Sequence, residues 1–298
     1  MAGLVPVALA VALLAGGPPT EVAQRALSHR QDLIALAGGP SLVVACASEK
    51  GVRLTDANGK STGAITLAGV VRQLTPTPTG WAALLMDDTV VFADGRGTIV
   101  RTVPLPRMTA RIAVSAAGKL AAMAPADGEI DLFEAGGALP SRKVDGPDAS
   151  TRLHMLDWFG DRVVQLSYLS VSIGDFSLKA RSVIPTDAVA GTKALFVSEW
   201  AAKVIRRSDG KALVAVSKPF DLSPWQMAVR ADDSALVVAQ VSIDTRQQAT
   251  RLSWLDGRTL KVVASEAFAS IPRGVAIHPT EQRIYICNAA GKVDVVEP

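Results

Sequence analysis

Thr55-Asp56-Ala57-Asn58-Gly59-Lys60, Ala93-Asp94-Gly95-Arg96-Gly97 and Phe133-Glu134-Ala135-Gly136-Gly137 are three copies of one phrase, an acidic residue and a glycine between two short apolar runs. The phrase returns as Arg207-Ser208-Asp209-Gly210-Lys211 and as Leu255-Asp256-Gly257-Arg258-Thr259. An Asp side chain can fold back onto the amides that follow it, and Gly tolerates a left-handed backbone, so each copy predicts a tight turn between strands. The acidic residues at 56, 94, 134, 209 and 256 are spaced by 38, 40, 75 and 47. The gap of 75 is close to two ordinary intervals, so one unit has lost the phrase. A period near forty built only of strands predicts a β-propeller.

Working outward, seven units of this period can be drawn, which predicts an all-β, seven-bladed propeller of four-stranded antiparallel blades. Inner strands include Asp32–Ala37, Arg111–Val114 and Gly274–Ile277. Second strands include Ser41–Cys46, Trp81–Leu85, Lys119–Met123, Arg162–Leu166, Ala194–Val197 and Ala235–Ala239. They are apolar on both faces, as expected of sheets sandwiched between two others, and helical periodicity is absent after residue 30. The divergent unit spans about 150–185, with its late turn at Ile173-Gly174-Asp175. The last unit offers three strands, so residues 22–30 are expected to pair with Lys292–Val296 and close the ring.

With 298 residues and 49% of them apolar, the chain can bury a sizeable core. The formal charge of +3 and the 5% aromatic content speak against nucleic acid as a partner. Residues 4–16, LVPVALAVALLAG, are too few to span a bilayer and suit the apolar region of a secretory signal, although no basic residue precedes them. Residues 1–20 are therefore read as a signal peptide or a disordered segment, and 21–298 as a single propeller domain. This reading places the protein in the periplasm or outside the cell, and in the cytoplasm if the segment is not a signal. No stable membrane span is expected.

The two cysteines, Cys46 and Cys287, fall on the second strands of the first and last units. Equivalent positions point the same way around a ring, and stacked sheets lie about 10 Å apart, whereas a disulfide needs Cα atoms within about 7 Å. The expectation is two free, buried thiols.

Pro272-Arg273-Gly274-Val275-Ala276-Ile277-His278-Pro279, then Arg283-Ile284-Tyr285-Ile286-Cys287-Asn288 and Gly291–Val296, resembles a YVTN-type repeat, and Trp254–Val263 is similar to its later turn. The likeness covers about 45 C-terminal residues. It implies bacterial seven-bladed propellers, often periplasmic, many of them binding or surface modules. The same repeat occurs in lactonase-like propellers and in the propeller subunit of quinohemoprotein amine dehydrogenases. The Trp-Asp and Gly-His pairs of WD40 blades are missing. The repeat is a structural signature, so it carries over no active-site residue.

The three histidines, His29, His154 and His278, lie on separate units without metal-ligand spacing. GxSxG, phosphate-cradle and CxxCH haem motifs are absent, so no catalytic residue, metal site or cofactor is assigned. The pattern with chemical content lies where units enter their inner strands. Arg72, Arg111, Arg152 and Arg273 occupy nearly matching positions, Trp225 stands at the corresponding place in a fifth unit, and His154 can face the channel. Gathered at one mouth, these guanidiniums would draw a small anionic ligand or an acidic protein partner. The competing reading is that each Arg pairs with a nearby acid such as Asp148 or Asp187 and braces its neighbours. The function expected is a non-enzymatic binding scaffold. The alternative is a propeller subunit of a periplasmic redox enzyme or a lactonase-like hydrolase.

Overall fold

The computed structural model describes residues 34–37, 42–48, 51–125, 129–144, 153–167, 170–173, 176–179, 185–242, 249–269, 271–288 and 291–297. Every element among them is a β-strand, and the strands form antiparallel sheets in sequence order. The first sheet is β1 (Ile34–Ala37), β2 (Val43–Ser48), β3 (Gly51–Asp56) and β4 (Ser61–Thr66); the second is β5 (Val71–Thr77), β6 (Gly80–Leu85), β7 (Thr89–Asp94) and β8 (Ile99–Pro104). The third is β9 (Arg111–Val114), β10 (Leu120–Met123), β11 (Ile130–Phe133) and β12 (Arg142–Val144); the fourth is β13 (Leu153–Phe159), β14 (Arg162–Ser167), β15 (Ser170–Ile173) and β16 (Phe176–Lys179). The fifth is β17 (Pro185–Ala190), β18 (Leu195–Glu199), β19 (Val204–Ser208) and β20 (Leu213–Val216); the sixth is β21 (Ser223–Val229), β22 (Ala235–Val241), β23 (Thr250–Asp256) and β24 (Val262–Phe268). The last sheet holds β25 (Gly274–Ile277), β26 (Ile284–Cys287) and β27 (Val293–Val296).

Six complete four-stranded blades are thus described, where the sequence predicts seven, and the last sheet has three strands. The missing strand was assigned to residues 22–30, which lie outside the described residues, as does the segment 1–20. The divergent unit is present: β15 pairs with β16, Ile173 opposite Phe176, and its expected turn at Gly174-Asp175 lies outside the described residues.

The inner strands β1, β5, β9, β13, β17, β21 and β25 neighbour one another in turn, and β25 also lies beside β1. The core is accordingly divided into apolar clusters between successive sheets. Ala82, Leu84, Ile112, Leu120 and Phe133 fill the gap between the second and third sheets. Val237, Trp254, Ile277, Ile284 and Ile286 fill that between the sixth and the last. Trp81, Val44, Leu54, Tyr285 and Cys287 join the last, first and second sheets. The middle strand β6 is buried at every position, as its two-faced apolar pattern requires.

The recurring acidic turn connects third to fourth strands. Asp56 Oδ1 accepts the amides of Asn58 and Lys60, Asp94 Oδ1 those of Arg96 and Thr98, and Asp209 Oδ1 those of Lys211 and Ala212. Asp256 Oδ1 takes the Arg258 and Thr259 amides and the Thr259 hydroxyl. Gly97 stands at φ 87°, and an added Cβ there would strike Leu54 and Ile65 of the neighbouring sheet. Asp94 is held below the usual carboxylate range first by the Thr98 amide, Asp209 first by the Ala212 amide, and Asp256 first by the Thr259 hydroxyl.

One expectation fails here. Cys46 and Cys287 form a disulfide, with Cα atoms 5.8 Å apart. Blades radiate from an axis, so their inner strands come closer together than stacked sheets do. Five residues separate β1 from β2 and six separate β25 from β26, and a one-residue difference turns a counted position to the opposite face. Cys46 therefore looks back at the last sheet while Cys287 looks forward to the first. Arg283 and Tyr285 strengthen the same seam, both donating to the Ala57 carbonyl, at 3.0 and 3.1 Å.

Two outcomes follow. The bridge closes a loop of 241 residues, so Cys46→Ala with Cys287→Ala is expected to lower unfolding stability by about 2–5 kcal/mol in urea titrations. Reductant should reproduce the loss in the wild-type protein and add nothing to the variant. The Asp94, Asp209 and Asp256 carboxylates, with folded pKa values depressed, stabilise the fold fully above the unfolded Asp value of about 3.9. That contribution disappears as pH falls through the folded values, so thermal unfolding should stay level from neutrality to about pH 4 and then drop. Asp94→Asn combined with Asp209→Asn should shallow the drop.

Candidate functional site at the central channel and its entry face

Each sheet is an antiparallel meander, so its turns alternate between two faces. Turns between first and second and between third and fourth strands lie on one side, here called the hairpin face. Turns between second and third strands, and the connections from sheet to sheet, lie on the other, the entry face. Each inner strand has one edge without a strand partner, turned toward the axis, and its amides and carbonyls need other partners.

Local register supplies them. A bulge interrupts pairing between Val71 and Gln73 in β5, between Leu153 and Met155 in β13, between Pro185 and Asp187 in β17, and between Pro224 and Gln226 in β21. A bulge re-aims the residue that follows it. Gln73 reaches the next inner strand, where its Oε1 accepts the Ile112 amide and its Nε2 donates to the Ile112 carbonyl, both at 2.9 Å. Asp187 Oδ2 accepts the Met227 amide at 2.5 Å. Asp157, further along β13, accepts the Ala190 amide at 3.2 Å. Each of these side chains ties one unit to the free edge of the next.

Among these strands lies a cavity of about 280 Å³. Its wall is mixed, with the apolar residues Leu74, Ile112, Met155, Met227 and Val275 and the polar residues Gln73, Thr75, Asp157, Asp187 and Gln226. Toward the hairpin face it adjoins a basin of about 470 Å³ edged by Thr77, Ser115, Gly160, Gly191 and Thr192.

The residues singled out from sequence have different surroundings. Arg72 and Trp225 are the bulged residues of β5 and β21, and His154 holds that position in β13. Arg72 faces Asp88 of its own blade at 3.3 Å. Arg111, the first residue of β9, is 5% exposed and donates to the Ala110 carbonyl. Trp225 meets Trp200 edge-on with ring centroids 5.6 Å apart. Arg273 is exposed, and its amide bonds the Cys287 carbonyl. Arg152 and the side chain of His154 lie outside the described residues, as does Asp148. The immediate neighbours of the described arginines thus differ from site to site.

Bracing between blades is performed by other arginines. Arg101 donates to the Gly137 carbonyl, Arg162 to that of Gly210, and Arg230 to those of His278 and Glu281. His278 is a turn residue whose Nδ1 accepts the amides of Thr280 and Glu281. Among the described residues, no group of three or more His, Cys, Asp or Glu could hold a metal ion, and no helix is long and apolar enough to cross a membrane.

The entry face also exposes apolar side chains that the sequence reading missed. Val70, Met86 and Met108 are 54%, 60% and 62% exposed. The Met86 amide bonds the Val70 carbonyl, and Asp88 Oδ1 accepts the Thr109 amide, so the three belong to one neighbourhood beside Arg72. They sit in connections rather than in the periodic strands, so no pattern marked them. The polar wall residues did leave a trace, a Gln or Asp inside VRQLTP, PTDAVA and SPWQMAV.

No family model matches the chain, and no curated protein matches it. Solved structures do resemble it. A chain of the mitotic checkpoint complex superposes with a TM-score of 0.71 at 12% identity, covering 91% of this chain and 90% of that one. A chain of Kuenenia stuttgartiensis hydrazine synthase does so with a TM-score of 0.69 at 15% identity, covering 91% of this chain and 96% of that one. At such identities the likeness shows the fold: this is an all-β propeller with antiparallel blades.

Gln73→Leu should leave the Ile112 amide buried without a partner and cost about 1–3 kcal/mol of stability. Arg72→Ala, which breaks one ion pair whose side chains are 22% and 24% exposed, should cost about 1 kcal/mol in the same denaturation assay.

Proposed function

We propose that this protein is a non-enzymatic binding platform that receives a partner protein on its entry face and works in an oxidising compartment. The observation that carries the reading is the cluster of Val70, Met86 and Met108. Large exposed apolar side chains standing together mark contact surfaces, and methionine adapts its shape to what covers it. The ion pair of Arg72 with Asp88 borders the cluster and supplies the polar rim that partner surfaces have. A disulfide between buried cysteines fits the periplasm or the cell exterior, as does the apolar run at residues 4–16.

The two similar structures bear on the choice of function only through their names, one a multiprotein complex and the other an enzyme. The propeller scaffold therefore serves either kind of work. An anionic ligand held by a ring of arginines has less support, because Arg72 faces an acid and Arg111 is buried.

The test is affinity capture from the native host with the wild-type protein and with Met86→Glu combined with Met108→Glu. A partner that falls at least about tenfold with the variant, at unchanged melting temperature, supports the reading. Equal capture by both proteins, or a purified assembly with visible cofactor absorption and turnover, overturns it.

A further inference from the structure

The axial cavity carries an inference separate from the entry face. Among the described residues that line the cavity and the adjoining basin there is no Lys, Arg or His; the ionisable side chains are Asp157 and Asp187. Asp187 is 1% exposed, and carboxylates withdrawn from water that far favour a positive charge nearby. Most polar groups of the wall serve the fold: Gln73 spends both amide atoms on Ile112, Asp157 holds the Ala190 amide, and Asp187 holds the Met227 amide.

Gln226 differs from them. It occupies the same place after a bulge as Gln73, lines the cavity and is 2% exposed, yet its Oε1 is buried with no hydrogen-bond partner. A buried acceptor left empty destabilises a fold, and leucine there would avoid the loss. An acceptor kept at that cost, in a mixed wall with two carboxylates, has the chemistry of a recognition group.

We propose that the channel, entered from the hairpin face, binds a small organic ammonium ion. With the Gln226 side chain turned into the cavity, the ion's N–H groups would donate to Oε1 and lie in the field of Asp157 and Asp187. Its apolar body would rest against Leu74, Ile112, Met155 and Val275. The cavity of about 280 Å³ is near the lower limit of ordinary ligand pockets, which sets the size at a single ring or a short chain. The basin, whose one ionisable side chain is Asp157, leaves the approach open and adds no competing cation.

Three probes of nearly equal shape test this on the full-length protein at pH 7: benzylamine as the ammonium ion, benzyl alcohol and benzoate. Ligand-observed NMR titration should show saturable benzylamine binding with a Kd of about 1 mM, as suits eight heavy atoms. Benzyl alcohol should bind at least about fivefold more weakly, and benzoate not at all. Gln226→Leu should weaken benzylamine at least about fivefold while leaving the melting temperature unchanged or raised, which a purely structural glutamine would not do. Ala228→Leu, which narrows the channel, should abolish binding. Met86→Glu with Met108→Glu should leave benzylamine binding intact, so this site and the docking face stand or fall separately. The proposal is overturned if benzoate binds as well as benzylamine. It is also overturned if benzylamine does not saturate and the channel holds water only, or if Gln226→Leu binds it like the wild type.

Discussion

The constraint from which the rest follows is the unpaired edge of each inner strand. A closed barrel has no edges, but a ring of separate meanders leaves a row of amides and carbonyls around its axis. Buried backbone groups must find partners. In this chain side chains of one blade supply them to the next: Gln73 for Ile112, Asp157 for Ala190 and Asp187 for Met227. The bulges that precede Gln73 and Asp187 turn those side chains to the task. The same groups that join the blades therefore also give the channel its polarity, so stability and recognition share one wall.

Packing between blades sets a second condition. Sheets that converge on an axis must present small residues where they approach most closely. Ala45, Ala47 and Ala276 stand in the cluster that holds the seam between the last and first sheets. Close approach there brings Cys46 and Cys287 within bonding reach and lets Arg283 and Tyr285 grasp the Ala57 carbonyl. Covalent and polar ties accumulate where the first described sheet meets the last, the place where no chain connection joins neighbouring blades.

The two faces differ in what they offer. The hairpin face carries the acidic turns, with carboxylates satisfied by their own loop amides and arginines spent on neighbouring carbonyls. These groups are engaged in holding the fold. The entry face keeps Val70, Met86 and Met108 uncovered and leaves Arg273 exposed. Apolar groups without cover are the ones with free energy to gain from a partner.

The sequence by itself determined the repeat, the strand-only architecture and the turns, because each rests on contacts within about ten residues. Asp94 folding onto Arg96 and Thr98 is such a contact, and so is the pairing of Ile173 with Phe176 in the divergent unit. The tertiary structure alone decided which groups meet across blades. Arg72, Arg111 and Trp225 align when counted along the chain, yet a bulge at Arg72 and Trp225 and none at Arg111 sends them to different surroundings. The cysteines were misread for the same reason, since one residue more in a connection reverses the face a side chain takes. Counting along a strand predicts its neighbours only while register is kept, and register is set by packing between sheets that lie far apart in sequence.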